Sequence, residues 1–244
     1  MKILLLNGAP RSGKDTVAHM LKNAASSSVH LEKFALPMKL SIPLIYGVPR
    51  DKWENELDTA RNKDLACTDF FGKTPREVQI ALSEDYLKPM HGKTIFGELL
   101  ARRLQSVANR GMLECAVVSD SGFYHEAKEI IDTFGADNVQ LWRILRQGHT
   151  FEGDSRGHVD LKEDGVDCYD IPNDGSLDDL RELVFPLYKA FTLPRELIKA
   201  GKDSPAEHET DEAWKRRRQE AALQAFTDWP IRKIENIRKQ QNAT

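Results

Sequence analysis

Residues 2–6 (KILLL) form an almost unbroken apolar run that ends at Asn7-Gly8. Such a run predicts a short strand buried on both faces. After the glycine turn, Val17, Ala18 and Leu21 start a helical stripe, and residues 29–35 read as a second short strand. Pro37 and Pro43 flank a modest helical segment that stops at Tyr46-Gly47, and 49–73 is polar and mixed, a loop or short helices. Thr74-Pro75-Arg76-Glu77 has the composition of a capping box with proline in the first turn, followed by an apolar face of Val78, Ala81, Leu82 and Tyr86. A further helix is predicted over 94–109.

Cys115–Ser119 (CAVVS) predicts a buried strand ending at Asp120, with a helix after it that stops near Gly135. Val139–Leu145 predicts another strand, Tyr169–Ile171 a last one, and Ser176 caps a helix running to about Phe191. Strands alternating with helices predict an α/β fold, a doubly wound parallel sheet flanked by helices. The expected organisation is one domain over 1–193, with a helical substrate-binding insertion at about 36–110 and a lid at about 147–168. The lid assignment rests on four glycines, charges of both signs, a length beyond that of a connector, and so little apolar content that the segment is expected to bury little surface. The strongly charged segment 194–244 reads as a solvent-exposed helical extension.

The 244 residues suffice for a core without disulfides, and Cys67, Cys115 and Cys168 form no CxxC pair. A reducing, cytoplasmic compartment is expected, with no membrane segment. A net charge of -3 gives no global basic field, so a small-molecule partner is expected and nucleic acid is not. The Lys215–Arg218 run is flanked by acids and reads as a solvated face, and His149 and His158 lack metal-ligand spacing.

NGAPRSGKDTVAHML, residues 7–21, carries the chemistry. Gly8, Gly13 and Lys14 have the spacing of a phosphate-binding P-loop, set between a buried strand and a helix. Glycines let backbone N–H groups approach phosphate oxygens, and the lysine reaches the terminal phosphates. Asp15 stands where Ser or Thr is usual, so it could hold Mg²⁺ only through water, while Thr16 can donate its hydroxyl to an α-phosphate.

GAPRSGKDT resembles the loop of phage-type deoxynucleoside monophosphate kinases, G-x-x-R-S-G-K-D-T, and matches it at Gly8, Arg11, Ser12, Gly13, Lys14, Asp15 and Thr16. IPNDGSLDDL (171–180), TPREVQIAL (74–82) and VVSDSGFYHEA (117–127) are similar to further segments of that family. The resemblance implies ATP and Mg²⁺ as cofactors, a dNMP as partner and a location in host cytoplasm for a phage-encoded chain. It also implies that Asn173 and Gly175 lie beside the nucleotide base. Some relatives carry D-x-R after the third strand, whereas here that arginine position is Gly122.

The remaining candidates follow from position. Asp120, at the carboxyl edge of the sheet, could hold magnesium through water or cap a helix. Arg76 and Gln79 share a helix face, where Arg76 could clamp an acceptor phosphate and Gln79 its base. Arg146 and Arg156, with Arg143 behind them, could bring positive charge to a migrating phosphoryl group. The expected activity is transfer of the γ-phosphoryl of ATP to a deoxynucleoside monophosphate, with a homodimer possible. Two alternatives stand beside it: a P-loop kinase of another acceptor (a modified pyrimidine in nucleotide or DNA, or a small phosphorylated metabolite), and a non-catalytic nucleotide-binding regulatory module.

Overall fold

A computed structural model describes residues 1–25, 29–59, 61–111 and 115–192. The charged extension expected from residue 194 lies outside the described residues. The chain divides into two compact units, 1–174 and 175–244.

Among its described residues the first unit holds five strands: β1 (Lys2–Asn7), β2 (Val29–Glu32), β3 (Cys115–Val118), β4 (Val139–Leu145) and β5 (Asp167–Pro172). All pair in parallel in the order β2-β3-β1-β4-β5. The register sets Leu5 between Val118 and Leu141, and every residue of β3 is buried. The fold is therefore α/β with a doubly wound parallel sheet, as the alternating apolar segments predicted. The chain runs from β1 to β2 and β3 on one side, and from β3 it crosses to β4 on the other, so the winding reverses at the middle of the sheet and a crevice opens at the carboxyl ends of the central strands.

The longer helices of this unit are α1 (Lys14–Ala25), α2 (Leu36–Tyr46), α3 (Pro75–Ile80), α4 (Ile95–Ala108) and α5 (Tyr124–Phe134). The Thr74 capping box forms: its hydroxyl accepts from Glu77 N–H, and the Glu77 carboxylate accepts from Thr74 N–H. Pro43 lies inside α2 and does not flank it as expected. Residues 33–35 leave the predicted second strand, because the N–H groups of Phe34 and Ala35 bond to Asp120 at 2.8 and 3.0 Å. The helical chain widens into under-wound π-type turns at two places among the described residues, Trp53–Leu57 and Ala81–Leu87, which the apolar periodicity did not reveal.

The expectation that 147–168 buries little apolar surface is corrected for its second half. Val159, Leu161 and Val166 are buried in the main core with residues of β1, β3 and β4, and β5 already begins at Asp167. In the second unit, α6 (Leu177–Thr192) starts after Ser176, which exchanges hydrogen bonds with Asp179.

Candidate active site

Sheet topology brings the ends of β1, β2 and β3 to one cavity of about 260 Å³. Its walls include Arg11, Lys14, Asp15, Lys33 and Asp120 from the strand ends. Asp58, Lys63, Arg76, Gln79, Asp154 and Arg156 close it from the intervening segments.

The loop from β1 to α1 is built by steric necessity. Gly8 has φ 148°, and a Cβ there would meet the Ile144 carbonyl oxygen at 2.4 Å. Gly13 has φ 107°, and its Cβ would collide at 2.3 Å with the Asn173 side-chain amide. That amide donates to the Ser12 carbonyl at 2.7 Å, and Asn173 N–H is held by Leu145 O at 2.7 Å. Asn173 is thus a brace behind the loop. Arg11 adopts a left-handed backbone, φ 62°, which costs energy in a residue with a Cβ. Ser12 is buried, and its hydroxyl has no hydrogen-bond partner among the described residues.

Lys14 folds inward over this loop. Its ammonium donates to the carbonyls of Gly8 and Ala9 at 2.7 and 2.8 Å, and the residue is only 8% exposed. Burial, and then the neighbouring Arg156 charge, lower its pKa from 10.5 to about 8. A cation kept so poorly solvated gains strongly from an anionic ligand. Asp15 accepts from Lys33 Nζ at 2.8 Å and Ser119 Oγ at 2.7 Å, both on Oδ1. Burial would raise its pKa, but the Lys33 charge and these bonds bring it below the ordinary value. Thr16 is exposed in the first turn of α1. Asp120 holds the start of α2 through both oxygens and does not cap α5, the helix that follows it in sequence.

On the facing wall, Asp154 is an organising acid with a side chain only 5% exposed. It accepts the Arg156 fork in bidentate form at 2.8 and 2.7 Å and lies 3.8 Å from Arg76. Burial alone would raise its pKa, but the Arg156 bonds outweigh that and bring it to about 2. Arg76 also pairs with Asp64, and Gln79 donates to Asp58 at 3.0 Å, which in turn pairs with Lys39. Burial and then Arg76 lower the Lys63 pKa. Glu126 closes the apolar end of the cavity with Phe34, Met38 and Phe96, and burial pushes its carboxyl up to about 8.

The structure therefore brings Arg11, Lys14, Asp15, Arg76, Gln79, Asp120 and Arg156 to one cavity. Arg146 is exposed at the end of β4 and does not line it, and Arg143 is a cross-strand partner of Asp170. Gly175 belongs to the second unit, where a Cβ would lie 2.6 Å from the Asp179 carboxylate. Sequence reasoning missed Lys33, Lys63, Asp154 and Asn7. Asn7 is fully buried, and its amide donates to Ser121 O and Gly157 O, each at 2.9 Å. A polar residue closing an apolar strand was the one available signal for it.

No protein-family model matches the chain, and no curated protein matches it significantly. Among solved structures it is similar to a sugar kinase from Janibacter sp., at 14% identity and TM-score 0.36, over 78% of this chain and 94% of that one. A dephospho-CoA kinase from Campylobacter jejuni is similar at 11% identity and TM-score 0.38, over 78% and 96%. Likenesses this remote carry neither substrate nor activity to this chain. The sheet order and the glycine-built loop after its central strand define the α/β P-loop class on their own geometry. Among the described residues no helix is long and apolar enough to cross a membrane.

Proposed function

We propose that the chain is a P-loop phosphotransferase that moves the γ-phosphoryl group of ATP to the phosphate of a deoxynucleoside monophosphate. The observation that carries this reading is the shared cavity. Lys14 on the P-loop opens onto the same space as Arg76 and Arg156, whose shared anion is Asp154. A donor polyphosphate fits the first wall and an acceptor phosphate the second. The deoxynucleotide preference rests on the resemblance of the loop sequence.

The acceptor phosphate is already an anionic nucleophile, so no general base is required. One of its oxygens bonds to the γ-phosphorus while the bond from that phosphorus to the β–γ bridging oxygen breaks, leaving ADP. The protein's task is alignment and charge neutralisation. Lys14 exchanges its loop carbonyls for β- and γ-phosphate oxygens. Arg156 keeps Asp154 on its Nε and Nη2 and offers its remaining N–H groups, with those of Arg76, to oxygens of the acceptor and the migrating group.

Among the described residues no three His, Cys, Asp or Glu side chains cluster to hold a metal. Mg²⁺ arriving on a polyphosphate keeps several waters and needs few protein ligands, which suits Asp15 as an acceptor from those waters. Asp120 suits that role less, because each of its oxygens already accepts a backbone N–H. Bound Mg²⁺ would neutralise charge on the β- and γ-phosphates.

The test is ADP release with ATP against separate panels of dNMPs, NMPs, oligonucleotides and small phosphorylated metabolites. ADP formed with dNMPs and a matching dNDP product supports the reading. Turnover with another acceptor alone would retain the phosphotransferase and reject the dNMP. No turnover with any acceptor, despite ATP binding, would leave a nucleotide-binding module.

A further inference from the structure

Arg156 is usually the kind of residue expected to arrive with a mobile loop, but its surroundings here hold it in place. The fork is locked by buried Asp154. The next residue, Gly157, donates its N–H to Gly122 O at 3.1 Å, while its carbonyl accepts from Asn7 at 2.9 Å. Two residues further, Val159 N–H reaches Asn7 Oδ1 at 3.4 Å. The stem lies directly on Gly122. A Cβ on Gly122 would stand 2.6 Å from Cβ, 2.6 Å from Cγ and 2.7 Å from Cδ of Arg156. Cβ and Cγ sit at the backbone end of the side chain, so no simple rotation of the guanidinium relieves the collision. Gly122 is buried and its φ lies outside the left-handed region, so a substitution there tests space alone.

We propose that Gly122 is the positioning residue for Arg156: the bare backbone after β3 is the floor on which the arginine stem crosses, so that its guanidinium stands preset in the cavity that Lys14 enters. Arg156 is then part of the resting site and does not depend on loop closure to reach it. The catalytic consequence rests on the phosphotransferase reading, whereas the seating itself does not.

The experiment uses the full chain with Gly122→Ala, Arg156→Gly and the double variant. Glycine is chosen at 156 because an alanine would keep the colliding Cβ. The first readout is the Lys14 amine titration by NMR, which needs no activity. Arg156, after burial, is what keeps that titration down near pH 8. Both single variants should raise the midpoint, and the double variant should match Arg156→Gly alone. The second readout is turnover on whichever acceptor the panel identifies. Gly122→Ala should lower kcat about tenfold to a hundredfold, with a smaller change in the KM for ATP, and should add nothing in the Arg156→Gly background. If Gly122→Ala fails to fold, the double variant should recover a cooperative thermal transition. A Lys14 midpoint untouched by Gly122→Ala, effects that add in the double variant, or a folding defect that Arg156→Gly leaves unrelieved would each overturn the proposal. A chain that transfers no phosphoryl group refutes the phosphotransferase reading, and the Lys14 titration still decides the seat.

Discussion

Replacing Lys14 by Met probes the electrostatic cost built into the P-loop. Methionine keeps an unbranched stem of similar length and removes the ammonium. The folded chain holds Lys14 at 8% exposure, with a pKa near 8 against an ordinary value of 10.5. At 1.36 kcal/mol per pKa unit, that difference corresponds to about 3 kcal/mol of destabilisation carried by the charged lysine at neutral pH. The sign follows from proton counts. Between about pH 8 and 10.5 the unfolded chain keeps the proton that the folded chain has released. The unfolded state therefore binds more protons, and stability rises with pH across that window. Wild type should accordingly gain about 3 kcal/mol on Lys14→Met between neutral pH and about pH 10.5. The carbonyls of Gly8 and Ala9 lose a donor in the variant, but that loss is the same at every pH. The slope of the difference is the test and its intercept is not. Urea unfolding of both proteins in half-unit pH steps measures it. Parallel stability profiles would refute the strained-lysine argument. In the same samples Lys14→Met should abolish phosphoryl transfer, whatever its stability.

Two further outcomes follow from the facing wall. Arg76→Ala should raise the KM for the acceptor by about tenfold to a hundredfold, the loss of one charge-assisted contact, and leave the KM for ATP nearly unchanged. Equal effects on both substrates in steady-state kinetics would make Arg76 a structural partner of Asp64 and Asp154. Asp154→Asn should remove a contribution of about 2 kcal/mol that wild type holds above the ordinary carboxylate value of 3.8 and loses as pH falls through about 2. Wild type and variant should therefore converge in denaturant stability over that acid window, and profiles that stay parallel would mean the Arg156 bonds do not hold the carboxylate.

Much of the frame was legible in the chain itself. Apolar runs at 2–6 and 115–119 became β1 and β3, because a strand covered on both faces is almost wholly apolar, and 139–145, apolar except at the half-buried Gln140 and Arg143, became β4. The glycine spacing before Lys14 and the Thr74 capping box are local devices, and they form within a few residues of where they are written. The site's partners could not be read this way. Asn173 reaches Ser12 across 161 positions, and Asn7 reaches Gly157 across 150. Periodicity reports which face of an element is apolar, and it is silent about which distant polar group meets another. The second half of 147–168 looked too polar to pack, yet three isolated residues, Val159, Leu161 and Val166, were enough to fix it in the core. Gly122 makes the same point. In sequence it is one glycine shortly after a strand-end aspartate, and only the fold shows that its lack of a side chain is the space into which Arg156 is packed. Local sequence determined the strands, the P-loop turn and the caps, because those depend on backbone sterics and neighbouring hydrogen bonds. Tertiary packing decided which charges share the cavity and at what pKa, because burial and long-range pairing exist only once the chain is folded.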